Sequence, residues 1–350
     1  MEESGTIKPP AGPSAFSRKS ISLSPDQLVK ESVLGRDSVL PLVIEPAVDG
    51  LSLLNWAASN QQQLEQKLGR YGAILFRGFK VAGVEQFEEF MKSMAGELLD
   101  YSYRSTPRTQ VSGKIYTSTE YPAHQSIPLH NEMSYSRQWP MVLGFFCLEA
   151  AEEGGETPIA DSRKVFARVD PEIRERFGRR RVSYVRNYGD GLDLPWQDVF
   201  QTESRSEVED FCRHAEIGFE WKGQDRLRTS QVCQAVAVHP RTGEAVWFNQ
   251  AHLFHVSSLN SEIRDSLLAS SGDEPPRNAY YGDDGASIED RDFVNIRAAY
   301  DAEAVVFPWQ EGDILLVDNM LVAHGRRPFR GTRKIVVGMG QLHSADQERL

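Results

Sequence analysis

Short apolar segments separated by turn residues recur through most of the chain, and they constrain its fold more than any other feature. Each segment is rich in valine, isoleucine, phenylalanine or tyrosine and is shorter than a typical helix, which is the pattern of β-strands. The clearest are residues 142–147, 182–186, 245–249, 314–317 and 334–339. They predict a mainly β fold, either a sandwich or a jelly roll, with flanking helices.

A helix is predicted near the beginning of the globular region. Residues 72–78 have the pattern of a buried strand that ends in a turn. The apolar residues from Val84 to Leu98 then recur every three or four positions, which indicates one face of an amphipathic helix. Residues 1–25 are rich in proline and serine and predict a mobile tail, so residues 26–350 are expected to form a single domain.

The pattern is looser between residues 190 and 310, where helical stretches are predicted at 206–215, 262–269 and 289–302. We interpret this region as an insertion between strands of the β fold. Because loops on a rigid scaffold often carry function, we expect the insertion to form a lid over a site.

Composition excludes several classes of protein. The 350 residues include 39 basic and 50 acidic side chains, a net charge of −11, which disfavours binding to nucleic acid or an anionic membrane. No apolar run approaches the roughly 20 residues that span a bilayer, and the acidic N-terminus does not resemble a signal peptide, so a cytoplasmic location is expected. The three cysteines are widely spaced and are expected to be reduced thiols.

A His-x-Glu pair, His130 and Glu132, follows a short apolar segment. Residues i and i+2 of a strand share a face, so an imidazole and a carboxylate could meet one metal ion there. With eight histidines, chance gives about one such pair, and a second exists at His214 and Glu216. That second pair lies in a helical pattern, where positions i and i+2 diverge, and we interpret it as solvent-exposed.

The C-terminal part of the chain supplies a third candidate ligand. Residues 312–325 have the pattern of a turn, a buried strand ending at Asp318 and Asn319, and a second apolar segment that leads to His324. Two histidines and one carboxylate on a β scaffold are typical of the facial triad of non-haem iron(II) oxygenases. Such a triad leaves coordination positions for a 2-oxo acid and for O2.

A 2-oxo diacid also needs a cation for its distal carboxylate. Arg333 and Lys334 open the last predicted strand and point to opposite faces of it. Arg333 is favoured because a guanidinium can bind a carboxylate through two hydrogen bonds. Thr157, after two glycines and before a proline, offers a hydroxyl donor to the same carboxylate, although a simple turn residue is the alternative.

The ordered set of His130, Glu132, Thr157, His324 and Arg333, with the Asp-Asn and His-Gly-Arg motifs near the end, resembles the taurine dioxygenase and clavaminate synthase-like superfamily. These are Fe(II)/2-oxoglutarate-dependent dioxygenases. The sequence motifs are most similar to those of the free-standing hydroxylases of nonribosomal peptide pathways, typified by the syringomycin-pathway aspartyl hydroxylase. The resemblance runs from about residue 70 to residue 340.

The resemblance implies a double-stranded β-helix, which is a cupin-like jelly roll, and the use of Fe(II), 2-oxoglutarate and O2. It implies that His130, Glu132 and His324 bind iron, and that Thr157 and Arg333 bind the distal carboxylate. Relatives that halogenate replace the carboxylate ligand with a small residue. Glu132 is retained here, so hydroxylation is favoured.

The chain departs from the pattern near the other end of the cosubstrate. Many relatives have a second arginine four residues after the first, where this chain has Val337, or Gly338 if Lys334 is the counterpart. How that end of 2-oxoglutarate is held is therefore open at the level of sequence.

Three residues are candidates for substrate contact: Arg186, Asn187 and Asn249. Arg186 and Asn187 close a strand at the mouth of the expected lid, where a turn is an equally good interpretation. Asn249 lies in the segment 247–255, which resembles its counterpart in the relatives. His252 and His255 in that segment suggest a second metal site or a substrate contact, but packing in an aromatic environment is favoured.

The sequence thus predicts hydroxylation of an unactivated C–H bond of an amino acid, or of an aminoacyl group tethered to a peptidyl carrier protein, in nonribosomal peptide-type natural-product biosynthesis. Two alternatives stay open. The same iron chemistry can end in desaturation, epimerisation or cyclisation, and a cupin-like barrel can be a non-redox isomerase or sensor. The oligomeric state is not readable from the sequence.

Overall fold

The structure is a computed structural model that describes residues 27–34, 39–101, 103, 105–189, 193–223, 225–271 and 274–345. The tail predicted at residues 1–25 lies outside the described residues. The strands, in chain order, are β1 (Val29–Val33), β2 (Leu42–Pro46), β3 (Ala73–Phe76), β4 (Gln110–Ser112), β5 (Ile115–Thr117), β6 (Ile127–His130), β7 (Gln138–Glu149), β8 (Glu153–Gly154), β9 (Ile159–Asp161), β10 (Val182–Tyr188), β11 (Gly218–Lys222), β12 (Arg226–Cys233), β13 (Val236–Val238), β14 (Ala245–Trp247), β15 (Arg277–Tyr281), β16 (Ile314–Asp318), β17 (Val322–Arg326), β18 (Phe329–Arg330) and β19 (Lys334–Ser344). The helices are α1 (Leu53–Ser59), α2 (Gln61–Tyr71), α3 (Val84–Ala95), α4 (Ser162–Arg168), α5 (Pro171–Arg180), α6 (Trp196–Phe200), α7 (Arg205–His214), α8 (Ala251–Phe254), α9 (Ser261–Ser271) and α10 (Asp290–Glu303).

The larger sheet has the strand order β1-β2-β3-β16-β7-β19-β5-β4. Helix α3 packs on it through its apolar face, which confirms the predicted amphipathic helix. Gly144 of β7 and Gly338 of β19 permit this close approach, since a Cβ on Gly144 would lie 2.1 Å from Sδ of Met91. With one face under α3 and the other toward the second sheet, β7 is buried along most of its length, as its almost unbroken apolar sequence requires.

A smaller sheet, with the order β6-β17-β9, faces the larger one. The ring of Phe145 on β7 lies 5.0 Å from the ring of His324 on β17, measured between centroids, so side chains of the two sheets meet in the space between them. The five strands predicted from the sequence are all present, and the prediction of a mainly β, jelly-roll fold with flanking helices is confirmed.

Between β9 and β16 the chain leaves these two sheets and forms a four-stranded antiparallel sheet with the order β11-β12-β10-β15. Helices α7, α9 and α10 of this region correspond to the three predicted helical stretches. The sequence pattern does not reveal β11, which is at most partly buried, or β12, whose buried positions include the polar residues Thr229 and Gln231 and whose Val232 is exposed. Strand β10 belongs to this sheet, so the insertion begins before residue 190. Its role as a lid stays a prediction.

Apolar side chains pack in two clusters, one around the larger sheet and α1 to α3 and the other within the insertion. Strand β17 lies at the boundary, since Val322 packs into the first cluster and Ala323 into the second. His324 is the next residue, so it is held between the two packed bodies.

Among the described residues, no helix combines the length and the apolar composition needed to cross a membrane. The cysteines Cys147, Cys212 and Cys233 are all buried and unpaired.

Candidate active site

Pairing of β6 with β17 brings His324 next to His130 and Glu132, which lie about 190 positions earlier in the sequence. The two strands are antiparallel, and His324 is the register partner of His130. Glu132 lies in a turn, two residues beyond the end of β6, so it does not share a strand face with His130 as the sequence pattern predicts. One potential ligand atom from each of these residues lies within 4.8 Å of the other two. The carboxylate and the His324 imidazole are almost inaccessible, with 3% and 5% of each residue exposed.

Both imidazoles are in the state that a metal ion requires. Nδ1 of His130 lies 2.8 Å from the carbonyl oxygen of Pro128, so it carries the proton and leaves the Nε2 lone pair free. Burial lowers the pKa of His130 below its ordinary value. Burial, assisted by the neighbouring His130 and Arg108, lowers the pKa of His324 further, so both rings are neutral at neutral pH.

The surroundings of His324 test whether a metal fits. Its Nδ1 is buried and has no hydrogen-bond partner among the described residues, and its Nε2 lies 4.0 Å from Oε2 of Glu132. Buried polar atoms are rarely left unpaired unless they have another use. Two neutral imidazoles on paired strands and a carboxylate in the adjoining turn fit a divalent iron ion with open coordination positions.

Asn319 holds Glu132 in position. Its Oδ1 accepts a hydrogen bond from the backbone N–H of Glu132 at 2.7 Å, and its Nδ2 donates to the Glu132 carbonyl at 2.9 Å and to the Pro140 carbonyl at 2.8 Å. The neighbouring Asp318 accepts from the N–H groups of Met320 and Leu321, which forms the turn that presents the amide. The sequence displayed the Asp-Asn motif but not its role.

We expect Asn319→Ala to weaken metal binding by about 10- to 100-fold, because it frees the backbone on both sides of Glu132. Competition with a chelating dye measures the affinity. Asn60→Ala is the control, since Asn60 is also buried and donates to a backbone carbonyl, at 2.7 Å, but lies between α1 and α2. If both variants lose stability and both keep wild-type metal affinity, Asn319 has only a structural role.

Arg333 and Thr157 lie together in the same cavity as the two histidines. The guanidinium donates to the Gly155 carbonyl at 2.8 Å, to Ser118 Oγ at 3.2 Å and to Thr157 Oγ1 at 3.5 Å. Thr157 Oγ1 also accepts from Nε1 of Trp309 at 3.0 Å. With two donors already directed at its oxygen, the hydroxyl can direct its own hydrogen toward a carboxylate beside Arg333.

The residues around Arg333 clarify two points that the sequence left open. Lys334 is on the other face of β19, where its exposed ammonium pairs with Glu149 at 2.9 Å, so Arg333 is the cation that faces the cavity. Burial, together with the charge of Arg326, lowers the pKa of Arg333 to about 10. It is thus a partly buried cation at neutral pH, and no described residue supplies it with a carboxylate partner. Val337 is buried among apolar residues.

Two further arginines, Arg108 and Arg326, line this cavity, and no role is predicted for either of them from the sequence. Arg108 precedes β4 and donates from Nη2 to Oε2 of Glu132 at 2.5 Å. Arg326, in the His-Gly-Arg motif, donates to the backbone carbonyls of Thr119, Tyr121, Pro122 and Gln125. The second arginine therefore holds the loop before β6. A lone arginine carries no local sequence signal, so Arg108 could not have been found without the structure.

The three candidate substrate residues are not among the described residues that line this cavity. Arg186 is buried in β10, with its guanidinium 5.0 Å from the Tyr188 ring centroid. Asn187 donates to the Pro275 carbonyl at 2.7 Å. Asn249 donates from Nδ2 to the Ala235 carbonyl and accepts from the N–H of Ala251, so its amide holds the backbone. Their contact with substrate stays a prediction.

His252, His255 and His214 do not belong to a potential metal cluster among the described residues. In that part of the chain, the cluster consists of His130, Glu132 and His324. His252 Nε2 lies 2.9 Å from the Leu129 carbonyl, and burial lowers its pKa to about 3. His255 packs on Phe293. His214 ends α7 and Glu216 lies beyond the helix, where its carboxylate pairs with an arginine. The contacts of His252 and His255 agree with packing, which is the interpretation that the sequence favours.

Known proteins are similar to this chain in sequence. The dapdiamide synthesis protein DdaC of Enterobacter agglomerans is 44% identical over 277 residues, which cover 79% of this chain and 84% of that protein. A clavaminate synthase-like protein of Arabidopsis thaliana is 30% identical over 317 residues, covering 85% of this chain and 93% of that protein.

Solved structures show the same fold at low sequence identity. PvcB of Pseudomonas aeruginosa, described as an Fe, alpha-ketoglutarate dependent oxygenase from an isonitrile synthetic pathway, superposes with a TM-score of 0.54 and 18% identity. The match covers 92% of this chain and 94% of that one. The family model described as "Taurine catabolism dioxygenase TauD, TfdA family" matches residues 37–339. This chain therefore belongs to the TauD/TfdA family of dioxygenases.

Proposed function

We propose that this protein is an Fe(II)- and 2-oxoglutarate-dependent oxygenase that uses O2 to hydroxylate an unactivated C–H bond. The observation that supports this most directly is that one cavity is lined both by His130 and His324, which form a potential metal site with Glu132, and by the Arg333–Thr157 pair. The first group suits iron(II) with open coordination positions. The second suits the distal carboxylate of a 2-oxo diacid. Bound iron and cosubstrate would supply the oxidising power.

The chain's own residues would hold and orient these groups and exclude water. Glu132 and the two neutral imidazoles are the proposed metal ligands. Arg333 and the Thr157 hydroxyl bind the distal carboxylate, which sets the orientation of the cosubstrate relative to the metal. Phe145 packs on His324 across the cavity and keeps the metal side dry.

The proposed substrate class is an amino acid or an aminoacyl group in natural-product biosynthesis. The relative named for dapdiamide synthesis supports a natural-product role. The tethered form, on a carrier protein, rests on the sequence resemblance alone.

The test begins without oxygen. Protein loaded with Fe(II) and then with 2-oxoglutarate should develop a visible charge-transfer absorption band, and admission of air should release succinate and carbon dioxide. Loading with Zn(II) should give neither signal. Absence of both signals from a sample shown to contain iron would contradict the proposal and favour a non-redox metal-binding barrel.

Mass spectrometry of the product distinguishes the possible outcomes. Free amino acids and aminoacyl carrier proteins are offered in parallel. Hydroxylation, the expected outcome, adds one oxygen atom to the substrate. Desaturation or oxidative ring closure removes two hydrogen atoms, and epimerisation leaves the mass unchanged, so either result would contradict the proposed reaction while leaving the cofactors in place.

A further inference from the structure

The guanidinium of Arg108 is buried in the cavity with only part of its hydrogen-bonding capacity used. Its side chain is 3% exposed, and Nη2 donates to Oε2 of Glu132 at 2.5 Å. Nε and Nη1 are also buried, and neither has a partner among the described residues. The ring of Tyr101 lies beneath the guanidinium, 4.5 Å away, and holds it in place.

Unpaired N–H groups of a buried arginine are unusual, because their desolvation is not offset by a hydrogen bond. A guanidinium stays protonated in proteins, so Arg108 is a permanent cation, and its Nη1 donor has no acceptor among the described residues. This state is typical of a side chain that meets an anionic ligand.

The positions of the other charges indicate which anion this is. Arg333 and Thr157 lie together in the cavity and would hold one carboxylate of a 2-oxo diacid. The second carboxylate, next to the keto group, would then be directed toward the metal site, near the carboxylate of Glu132. Two carboxylates close together in a buried place repel each other, and a cation between them removes that repulsion.

No other described residue of the cavity is as well suited to that position. Val337 is apolar and buried, and Gly338 has no side chain, so β19 offers no second cation there. Arg326 uses both terminal nitrogens on backbone carbonyls, which leaves only its Nε. Arg108 already touches Glu132 and has its second terminal nitrogen unpaired.

We propose that Arg108 bridges two carboxylates: Nη2 holds Glu132, and Nη1 donates to the carboxylate beside the keto group of 2-oxoglutarate. This inference rests on the proposed function, since it assigns a second residue to the same cosubstrate. It makes Arg108 a residue that positions both the metal ligand and the end of the cosubstrate that meets the metal.

Binding of two different 2-oxo acids distinguishes the contributions of Arg108 and Arg333. Both contain the 2-oxo acid group, but 2-oxobutanoate lacks the distal carboxylate of 2-oxoglutarate. Anaerobic titration at saturating Fe(II), followed by the charge-transfer absorption, gives the dissociation constant of each. We expect Arg108→Gln to weaken both acids equally, by about 10- to 100-fold. Arg333→Gln should weaken 2-oxoglutarate and leave 2-oxobutanoate unchanged.

Controls keep the result interpretable. Arg168→Gln removes another Arg–Glu ion pair, to Glu303 on α10, away from the cavity, and should change neither constant. Iron affinity is measured separately, because Arg108 also touches Glu132. Arg108→Lys, which keeps the charge, should show a smaller loss than Arg108→Gln and serves as the folded variant if the glutamine variant does not fold.

Wild-type affinity for both acids in the folded Arg108 variants would overturn the proposal. A loss confined to iron affinity would also overturn it, because Arg108 would then only orient Glu132. A change confined to the KM of the substrate, with both acids bound normally, would overturn it as well. These failures differ from failure of the proposed function, which would appear as absent binding in the wild-type protein itself.

Discussion

His324→Ala is expected to abolish the charge-transfer absorption and succinate formation, with a loss of more than about 100-fold. Removal of a residue that merely supports a metal ligand typically costs 10- to 100-fold, so loss of a proposed ligand should cost more. The variant loses one of two neutral imidazoles and leaves a site with one histidine and one carboxylate. Metal content, anaerobic absorption and succinate release measure the effect.

His324→Ala is a better probe than Glu132→Ala. Removing the carboxylate would leave Arg108 as an unpaired buried cation, which by itself destabilises a protein by about 3–5 kcal/mol. The matched control is His214→Ala, since His214 belongs to the exposed His-x-Glu pair at the end of α7. Retention of the absorption band in a folded His324→Ala protein would exclude His324 as a ligand.

Arg333→Ala should raise the dissociation constant of 2-oxoglutarate by about 100-fold, because two or more charge-assisted hydrogen bonds to the distal carboxylate are lost. The unliganded protein should lose little stability. Arg333 is a partly buried cation whose pKa is lowered to about 10, and its partners at Gly155, Ser118 and Thr157 are all uncharged.

Thermal unfolding with and without cosubstrate separates these two effects. At 100 times the dissociation constant, binding stabilises the folded state by ~2.7 kcal/mol, so the wild-type melting temperature should rise and that of Arg333→Ala should not. Lys334→Ala is the adjacent control, because Lys334 points away from the cavity. If Lys334→Ala lost affinity and Arg333→Ala kept it, the face of β19 that we assign to the cosubstrate would be wrong.

Local patterns were sufficient for the strands and for the residue types of the site. The apolar segments of β7, β16 and β19 are long or continuous enough to be found by composition alone, since both faces of these strands are covered. Strands β11 and β12 are not predictable in this way. Strand β11 is at most partly buried, and in β12 the polar residues Thr229 and Gln231 are buried while Val232 is exposed, so its alternation in burial is not an alternation in hydropathy.

Roles that depend on distant partners were not predictable. The amide of Asn249 bonds to the backbone at Ala235 and Ala251, which the local sequence does not indicate, and its contact with substrate stays a prediction. Arg108, Asn319 and Arg326 were not assigned any role, although each touches or supports the site. A hydrogen bond between residues far apart in sequence leaves no periodic trace in either segment.

Residue types and their order establish which chemistry is available to this protein: two histidines, a carboxylate, an arginine and a threonine in the order of a dioxygenase family, on or near segments that form strands. How these residues meet depends on the fold. The register between β6 and β17 places His324 opposite His130, and the face of β19 that packs inward selects Arg333 over Lys334. The reason is physical: residue type and period are local properties, whereas register and facing depend on how the apolar faces of distant strands pack together.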